Sequence, residues 1–212
     1  VCSSDLHVAS VIDAAASALR SRASLLVQLR DKDASPTDLR EHAKDLRRVT
    51  ERARVGFVIN AKERALVDVA VDTGADGVHV PCSIEAMGYV QDAWTRAAPW
   101  ISVPAHTDGD VAIAVRGHAT AALVSPIWET EGKGPPRGTP AIKTALTTRG
   151  DGALLVYALG GVVTGDQAVA AATAGADGVA VIRALLGEQQ ASKNAYEEVA
   201  AMARLLEAPF VA

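Results

Sequence analysis

Aromatic side chains are scarce in this sequence: three Trp, three Tyr and two Phe, 4% of 212 residues. Apolar residues nonetheless make up 49%, so the core has to be built mostly from Ala, Val, Leu and Ile. Cysteine is scarcer still. Cys2 and Cys82 have no C-x-x-C or metal-ligand spacing, which points to a reducing compartment. No apolar run reaches the ~20 residues that span a bilayer, and no charged–apolar–small leader opens the chain. The expected location is therefore the cytoplasm. The formal charge of −4 gives no support for nucleic acid or an anionic membrane as partner. An anionic ligand would have to be met by a local positive site.

What is present is a regular alternation of strand and helix. Its clearest stretch runs from Ala153 to Gly187. Ala153–Leu159 is an apolar run without polar alternation, as in a parallel strand buried on both faces. Gly160-Gly161 ends it, and Thr164–Ala174 has helical spacing with Gly175 as its stop. Asp177–Ile182 is a second buried strand, followed by a short helix over Arg183–Leu186. Two adjacent parallel strands thus end in a glycine turn and a helix N-terminus, an arrangement that binds phosphate at the carboxyl end of the last two strands of a barrel.

The same alternation is read upstream. Strands are expected at Leu25–Arg30, Val55–Asn60, Asp76–Val80, Trp100–Pro104 and Ala121–Ser125. Between them, helices are expected at Pro36 to about Ala53, Lys62–Thr73, Ile84 to about Ala97, Asp110–Arg116 and Thr139–Thr148. Ser35 precedes Pro36 as N-cap before a proline at N1. The segment Gly74-Ala75-Asp76-Gly77-Val78 recurs as Gly175-Ala176-Asp177-Gly178-Val179, about four strand–helix units later. Seven strands in this order favour a single-domain (β/α)8 TIM barrel over an open doubly wound sheet, since no G-x-G-x-x-G follows the first strand. The first strand is missing or degenerate. Val1–Asp5 is a poor strand ahead of a helix over His7–Ser21, and an N-terminal truncation is expected. Residues 1–24 form an irregular start plus first helix, 25–187 the phosphate-binding core, and 188–212 carry a final helix, near Ala191–Glu207, packing on the exterior.

Chemistry in such a barrel sits where the strands end. The polar residues there are Arg30, Lys32, Asn60, His79, His106, Thr130, Lys133 and the backbone of Gly160, Gly161 and Arg183. Arg and Lys can hold a diphosphate through charge-assisted hydrogen bonds, so the set suits a phosphorylated small molecule. Each has an alternative reading. Arg30 and Lys32 could pair with Asp31 and Asp33, Asn60 could cap the next helix, and His79 is better read as an interior histidine. His106 could be structural, Thr130 and Lys133 could be solvated, and Trp128 is read as a lid or packing residue. Pro126–Gly138 is long for a loop inside a domain, which favours a functional role.

The ordered set Gln28-Leu29-Arg30-Asp31-Lys32-Asp33, Asn60, Gly77-Val78-His79, Ala105-His106-Thr107, Ser125–Lys133, Ala158–Val162 and Gly178–Val181 resembles the thiamine phosphate synthase family, which includes the related thiazole tautomerases. The resemblance runs from Leu25 to Leu186. It implies a (β/α)8 barrel that joins hydroxymethylpyrimidine diphosphate to thiazole phosphate with release of pyrophosphate. On that pattern Gln28, Arg30, Lys32 and Asn60 bind the diphosphate substrate, with Thr130 and Lys133 closing over it. Gly160, Gly161, Ile182 and Arg183 hold the thiazole phosphate, and His106 and Lys133 are the catalytic candidates. The partners implied are phosphorylated small molecules, and a homo-oligomer stays open.

The resemblance also implies Mg²⁺, whose usual carboxylates are replaced here by Ala61 and Ile84. Glu63 and Glu85 are close in sequence but off the family positions. Arg183 replaces a small residue and Pro104 a serine. Two alternatives to the synthase therefore stand: a metal-independent thiazole tautomerase, with His106 moving the proton and the Pro136-Arg137-Gly138 segment in its favour, and a non-catalytic phosphate-ligand binder.

Overall fold

The computed structural model describes residues 3–21, 24–95, 97–187 and 194–211. Seven strands make one parallel sheet whose spatial order is the chain order: β1 (Leu26–Leu29), β2 (Gly56–Asn60), β3 (Gly77–His79), β4 (Trp100–Ala105), β5 (Ala121–Val124), β6 (Leu155–Leu159) and β7 (Gly178–Ala180). Sequential order requires each crossover helix to pack on the same outer face. Those helices are α2 (Pro36–Ala53), α3 (Arg64–Asp72), α4 (Ile84–Ala93), α5 (Asp108–Arg116), α6 (Pro140–Arg149) and α7 (Gly165–Thr173). All seven expected strands form. Most are shorter than expected by a residue or two at an end, where the ladder of hydrogen bonds stops, whereas β4 runs on to Ala105.

The sheet curls in the manner of a TIM barrel, with one departure. Among the described residues β1 and β7 each pair with a single neighbour, so the wall is open between them. Helix α1 spans Ser3–Ala18, so the residues from Ser3 onward do not supply the weak first strand. Its Val11, Ala14 and Ala15 pack against Val199 and Ala203 of α9 (Ala195–Glu207). The start of the final helix as expected, Ala191–Ser192–Lys193, lies outside the described residues, as does Cys2. No helix among the described residues is long and apolar enough to cross a membrane.

The core is aliphatic, as the composition requires. Ile59, Val78, Val103, Val124, Val156 and Ala158 are at most 1% exposed and come from five different strands. Near the strand starts the rings of Trp100 and Tyr157 meet edge to face at 6.3 Å. Room for them comes from the repeated glycines. A Cβ on Gly77 would lie 1.9 Å from the Trp100 carbonyl oxygen, and one on Gly178 would lie 2.5 Å from the Tyr157 ring.

The repeat has a structural role at its aspartates. Asp76 Oδ2 accepts from the Phe57 amide (2.8 Å) and from Arg47 of α2 (3.0 Å). Asp177 Oδ2 accepts from the Val156 amide (2.8 Å) and from Arg149 of α6 (3.1 Å). Each thereby ties a strand start to a helix, at the end of the sheet away from the strands' carboxyl termini.

At the opposite end the helix N-termini are capped in turn. Ser35 accepts from the Asp38 amide, Ser83 from Ala86, and Thr107 and Thr164 form capping boxes with Asp110 and Gln167. These caps fix the turns that leave the strands, and hence the residues that ride on them.

Candidate active site at the carboxyl ends of the strands

Gln28 and Arg30 lie two residues apart across the end of β1, on the face opposite Val27, which packs toward Ile12 and Ala16. The turn after them is shaped by Asp31, whose Oδ1 accepts from the amides of Asp33 and Ala34, both at 3.1 Å. That carboxylate also faces His42 Nδ1 at 3.6 Å. Among the described residues neither Arg30 nor Lys32 has a carboxylate partner. The ion pairs with Asp31 and Asp33 do not form, because Asp31 is spent on its own turn. Two cations therefore stand unneutralised at the rim.

Asn60 ends β2 and stands level with His79 in the β2–β3 register. It does not cap α3: the N-cap is Glu63, with no side-chain capping bond. His79 is mostly buried, with Nδ1 3.0 Å from Ser102 Oγ. Burial pulls its pKa from 6.5 down to about 4, helped by the nearby Arg30 charge and by the neighbouring His106. The interior reading of His79 holds. The same influences show Arg30 and His106 to lie near His79, although the three follow or end three different strands.

His106 follows β4 and is exposed. Its amide and that of Thr107 both donate to Asp110 Oδ2 at 2.8 Å. Its Nδ1 donates toward the Ser125 carbonyl (3.3 Å) and lies 3.2 Å from Ser125 Oγ. With Nδ1–H turned to a carbonyl, Nε2 carries the lone pair and is the ring nitrogen left for a ligand.

The long segment after β5 reaches across to β6. The Ile127 amide donates to the Leu159 carbonyl, and the Trp128 amide to that of Gly160, both at 3.0 Å. Gly160 and Gly161 have φ of +95° and +70°, and no side chain would fit at either. A Cβ on Gly160 would lie 2.9 Å from Pro126 Cα and 3.2 Å from Thr130 Oγ1; on Gly161 it would lie 2.6 Å from the Glu129 carbonyl oxygen. Trp128 also packs against the apolar cluster of Val162 and Ala184, in keeping with its reading as a packing residue.

Among the described residues the Gly160 and Gly161 amides donate to no protein acceptor. After β7, Ile182 precedes α8 (Arg183–Leu186), whose first N–H groups have no intrahelical partner. Ile182 and Arg183 are both exposed there.

Thr130 is held by its own bond to the Trp128 carbonyl (3.0 Å), and the Lys133 amide closes a turn on the Thr130 carbonyl (3.1 Å). Lys133 thus sits one turn from the Gly160 contact, exposed and without a carboxylate partner among the described residues. The structure gathers the expected residues into two groups: Arg30, His79 and His106 on one side, Thr130, Lys133, Gly160 and Gly161 on the other. Lys32, Asn60 and Arg183 lie at the same strand ends, with no side-chain hydrogen bond or ion pair to either group among the described residues.

The residues do not fit a protein-bound divalent metal. Ala61 is 1% exposed, its amide committed to the His79 carbonyl (2.8 Å). Ile84 is 49% exposed at the start of α4. Glu85 points toward Arg64 at 3.9 Å. Among the described residues no three His, Cys, Asp or Glu side chains come together as a metal site. Cys82 is an inert thiol: burial, with Asp110 nearby, pushes its pKa up to about 11. A surface groove lies elsewhere, between the outer faces of α3 and α4 around Asp68, Asp72 and Tyr89, and holds none of the strand-end residues.

Sequence reasoning missed the part played by the residues that aim the others, although Ser125 and Arg137 stood in segments it had singled out. Ser102 and Ser125 contact the two histidines, Asp110 pins the His106 turn, and Arg137 pairs with Asp108 at 2.8 Å. Thr107-x-x-Asp110 ahead of an apolar run is a capping-box signal that could have found Asp110.

Comparison with known proteins gives a consistent result. A family model described as thiamine monophosphate synthase matches residues 1–185. The chain is 37% identical to the thiamine-phosphate synthase of Methanoculleus marisnigri over 169 residues, covering 77% of this chain and 74% of that one. It is 33% identical to the thiamine-phosphate synthase of Chloroflexus aurantiacus over 185 residues, covering 86% and 78%. Among solved structures, the thiamine phosphate pyrophosphorylase of Pyrococcus furiosus aligns with a TM-score of 0.74 over 95% of this chain and 90% of that one, at 20% identity, a likeness of fold.

Proposed function

This chain belongs to the thiamine monophosphate synthase family, and from that premise we propose that it joins hydroxymethylpyrimidine diphosphate to thiazole phosphate. In this reaction the thiazole nitrogen lone pair forms a bond to the exocyclic methylene carbon. The carbon–oxygen bond to the diphosphate breaks, and pyrophosphate leaves with its electrons. Charge develops on the leaving oxygens and on the pyrimidine, so catalysis consists of neutralising the first and holding both partners in line.

The residues are suited to those tasks. Arg30 and Lys32, free of internal ion pairs among the described residues, hold the diphosphate with Gln28 and Asn60, and Lys133 reaches it from the loop. Gly160 and Gly161, whose amides meet no protein acceptor among the described residues, offer them to the thiazole phosphate, with the backbone at Ile182 and the Arg183 side chain beside it. His79, neutral at physiological pH, presents an uncharged wall where a cationic pyrimidine forms. The single observation that carries this reading is the contact of the Trp128–Thr130 segment with Gly160–Gly161. It brings the loop bearing Lys133 to the proposed phosphate turn. No step is assigned to a protein-bound metal, since the side chains at Ala61 and Ile84 cannot ligate one.

A second reading draws on those two positions together with His106. A thiazole tautomerase needs a base that moves one proton on a phosphorylated substrate. His106 Nε2, left with its lone pair by the Ser125 contact, meets that need.

One assay separates the readings. The protein is given both substrates with Mg²⁺, and thiamine phosphate and pyrophosphate are quantified; in parallel it is given the thiazole carboxylate phosphate tautomer alone. Pyrophosphate and thiamine phosphate in equal amounts support the synthase. Isomerisation without condensation, abolished by His106→Asn, replaces it with the tautomerase. Saturable thiazole phosphate binding without either turnover leaves a binder.

A further inference from the structure

The loop over the mouth is tied down on both sides, and one of the two ties is a single side chain. At its base the Arg137 amide donates to the Pro126 carbonyl (2.8 Å) and the Gly138 amide to the Ile127 carbonyl (3.0 Å). On the β6 side it rests on Gly160 and Gly161. On the β4 side its tie is the Arg137 guanidinium, whose Nη2 donates to Asp108 Oδ1 at 2.8 Å and whose Nη1 reaches the Ala105 carbonyl at 3.4 Å. Between these anchors residues 131–136 are all exposed, and their one described backbone bond is the Lys133 turn.

We propose that Arg137 is a positioning residue: its pairing with Asp108 latches the Lys133 loop to the His106 turn and so sets the span of the mouth for a phosphorylated substrate. The inference rests on the synthase reading for its kinetic part, and on the geometry alone for its structural part.

Three features distinguish this pair from an ordinary surface ion pair. The Arg137 side chain is only 22% exposed, so its charge is partly desolvated and its geometry restricted. Its acceptors, Ala105 and Asp108, bracket His106 in sequence, and Asp110 already fixes that turn through the amides of His106 and Thr107. Finally, the pair links segments 29 residues apart that carry two different catalytic candidates, His106 and Lys133. Releasing it frees the loop from one wall while leaving strands, helices and the Gly160 contact in place.

The test uses the full chain with Arg137→Met, Arg137→Lys, Asp108→Asn and the double variant Arg137→Met/Asp108→Asn. Limited trypsin digestion of the ligand-free protein reads the rate of cleavage after Lys133, which needs no turnover. The expected result is about tenfold faster cleavage in both single charge-removing variants, no further gain in the double, and partial restoration with Lys, with the thermal midpoint nearly unchanged. In the synthase assay the same variants raise KM for the diphosphate substrate about tenfold with a smaller change in kcat. Unchanged cleavage at Lys133 in both single variants overturns the latch. Faster cleavage with KM unmoved in an active enzyme overturns its positioning role. Absence of condensation in the parent protein counts against the proposed function, and the digestion pattern still decides the latch.

Discussion

The Trp128 amide donates to the Gly160 carbonyl at 3.0 Å, and this bond joins the loop after β5 to the glycine turn after β6. One partner belongs to the loop that carries Thr130 and Lys133. The other opens the glycine turn whose own amides, among the described residues, find no protein acceptor. A turn that spends its carbonyl on the loop while keeping its N–H groups unpaired is shaped to receive an anion without losing the loop.

Gly161→Ala tests that shape. Its φ of +70° and the Glu129 carbonyl oxygen 2.6 Å from the added carbon make the substitution both strained and crowded. The backbone strain alone costs about 1–2 kcal/mol. The thermal midpoint should fall by about 2–8 °C, and thiazole phosphate affinity should drop at least about tenfold. Calorimetric melting and a binding titration check the two parts separately.

Arg30→Met and Lys32→Met should act on turnover more than on folding. Neither side chain is in an internal ion pair among the described residues, so removing the charge leaves no orphaned carboxylate. Each variant is expected to melt within about 0.5 kcal/mol of the parent and to lose about 10²-fold or more in kcat/KM. Steady-state kinetics alongside thermal melting separates the effects.

His79 makes a prediction about acid stability. Its pKa is about 4 in the fold, against 6.5 for the free side chain. Between those values the unfolded chain binds a proton that the folded chain does not, so stability rises with pH across that window. Full stability from this group is present above about pH 6.5, and about 3 kcal/mol is lost as pH falls toward 4. Denaturant titrations from about pH 4 to 7 should show this slope, and His79→Gln should flatten it.

Much of the fold was legible because its signals are local. The apolar runs, the Ser35-Pro36 start and the glycine stops each declare an element within a few residues, and all seven strands follow from them. The weakness of the first strand was legible as well: α1 is already helical at Ser3, which leaves β1 and β7 without a shared neighbour among the described residues. The Gly-Ala-Asp-Gly repeat could be seen, although its purpose could not. Asp76 and Asp177 act by reaching back to Phe57 and Val156, contacts set only by the folded register.

In the candidate site, residue types at strand ends could be read directly, since charge and position suffice to nominate Arg30, Lys32, His106 and Lys133. Their supports could not. Ser125 faces His106 across 19 residues, Ser102 faces His79 across 23, and Arg137 reaches Asp108 across 29. Serines and an arginine of that kind carry no sequence pattern of their own. The competing reading of Arg30 and Lys32 as exposed ion pairs failed because Asp31 turned its carboxylate onto the Asp33 and Ala34 amides.

The most direct measurement is an amide-resolved NMR titration of the ¹⁵N-labelled protein with thiazole phosphate. Saturable shifts are expected, largest at the Gly160 and Gly161 amides and smaller at Ile182 and Arg183, and they should be lost in Gly161→Ala. Binding that leaves those two glycine amides unmoved, or no binding at all, would contradict the phosphate turn.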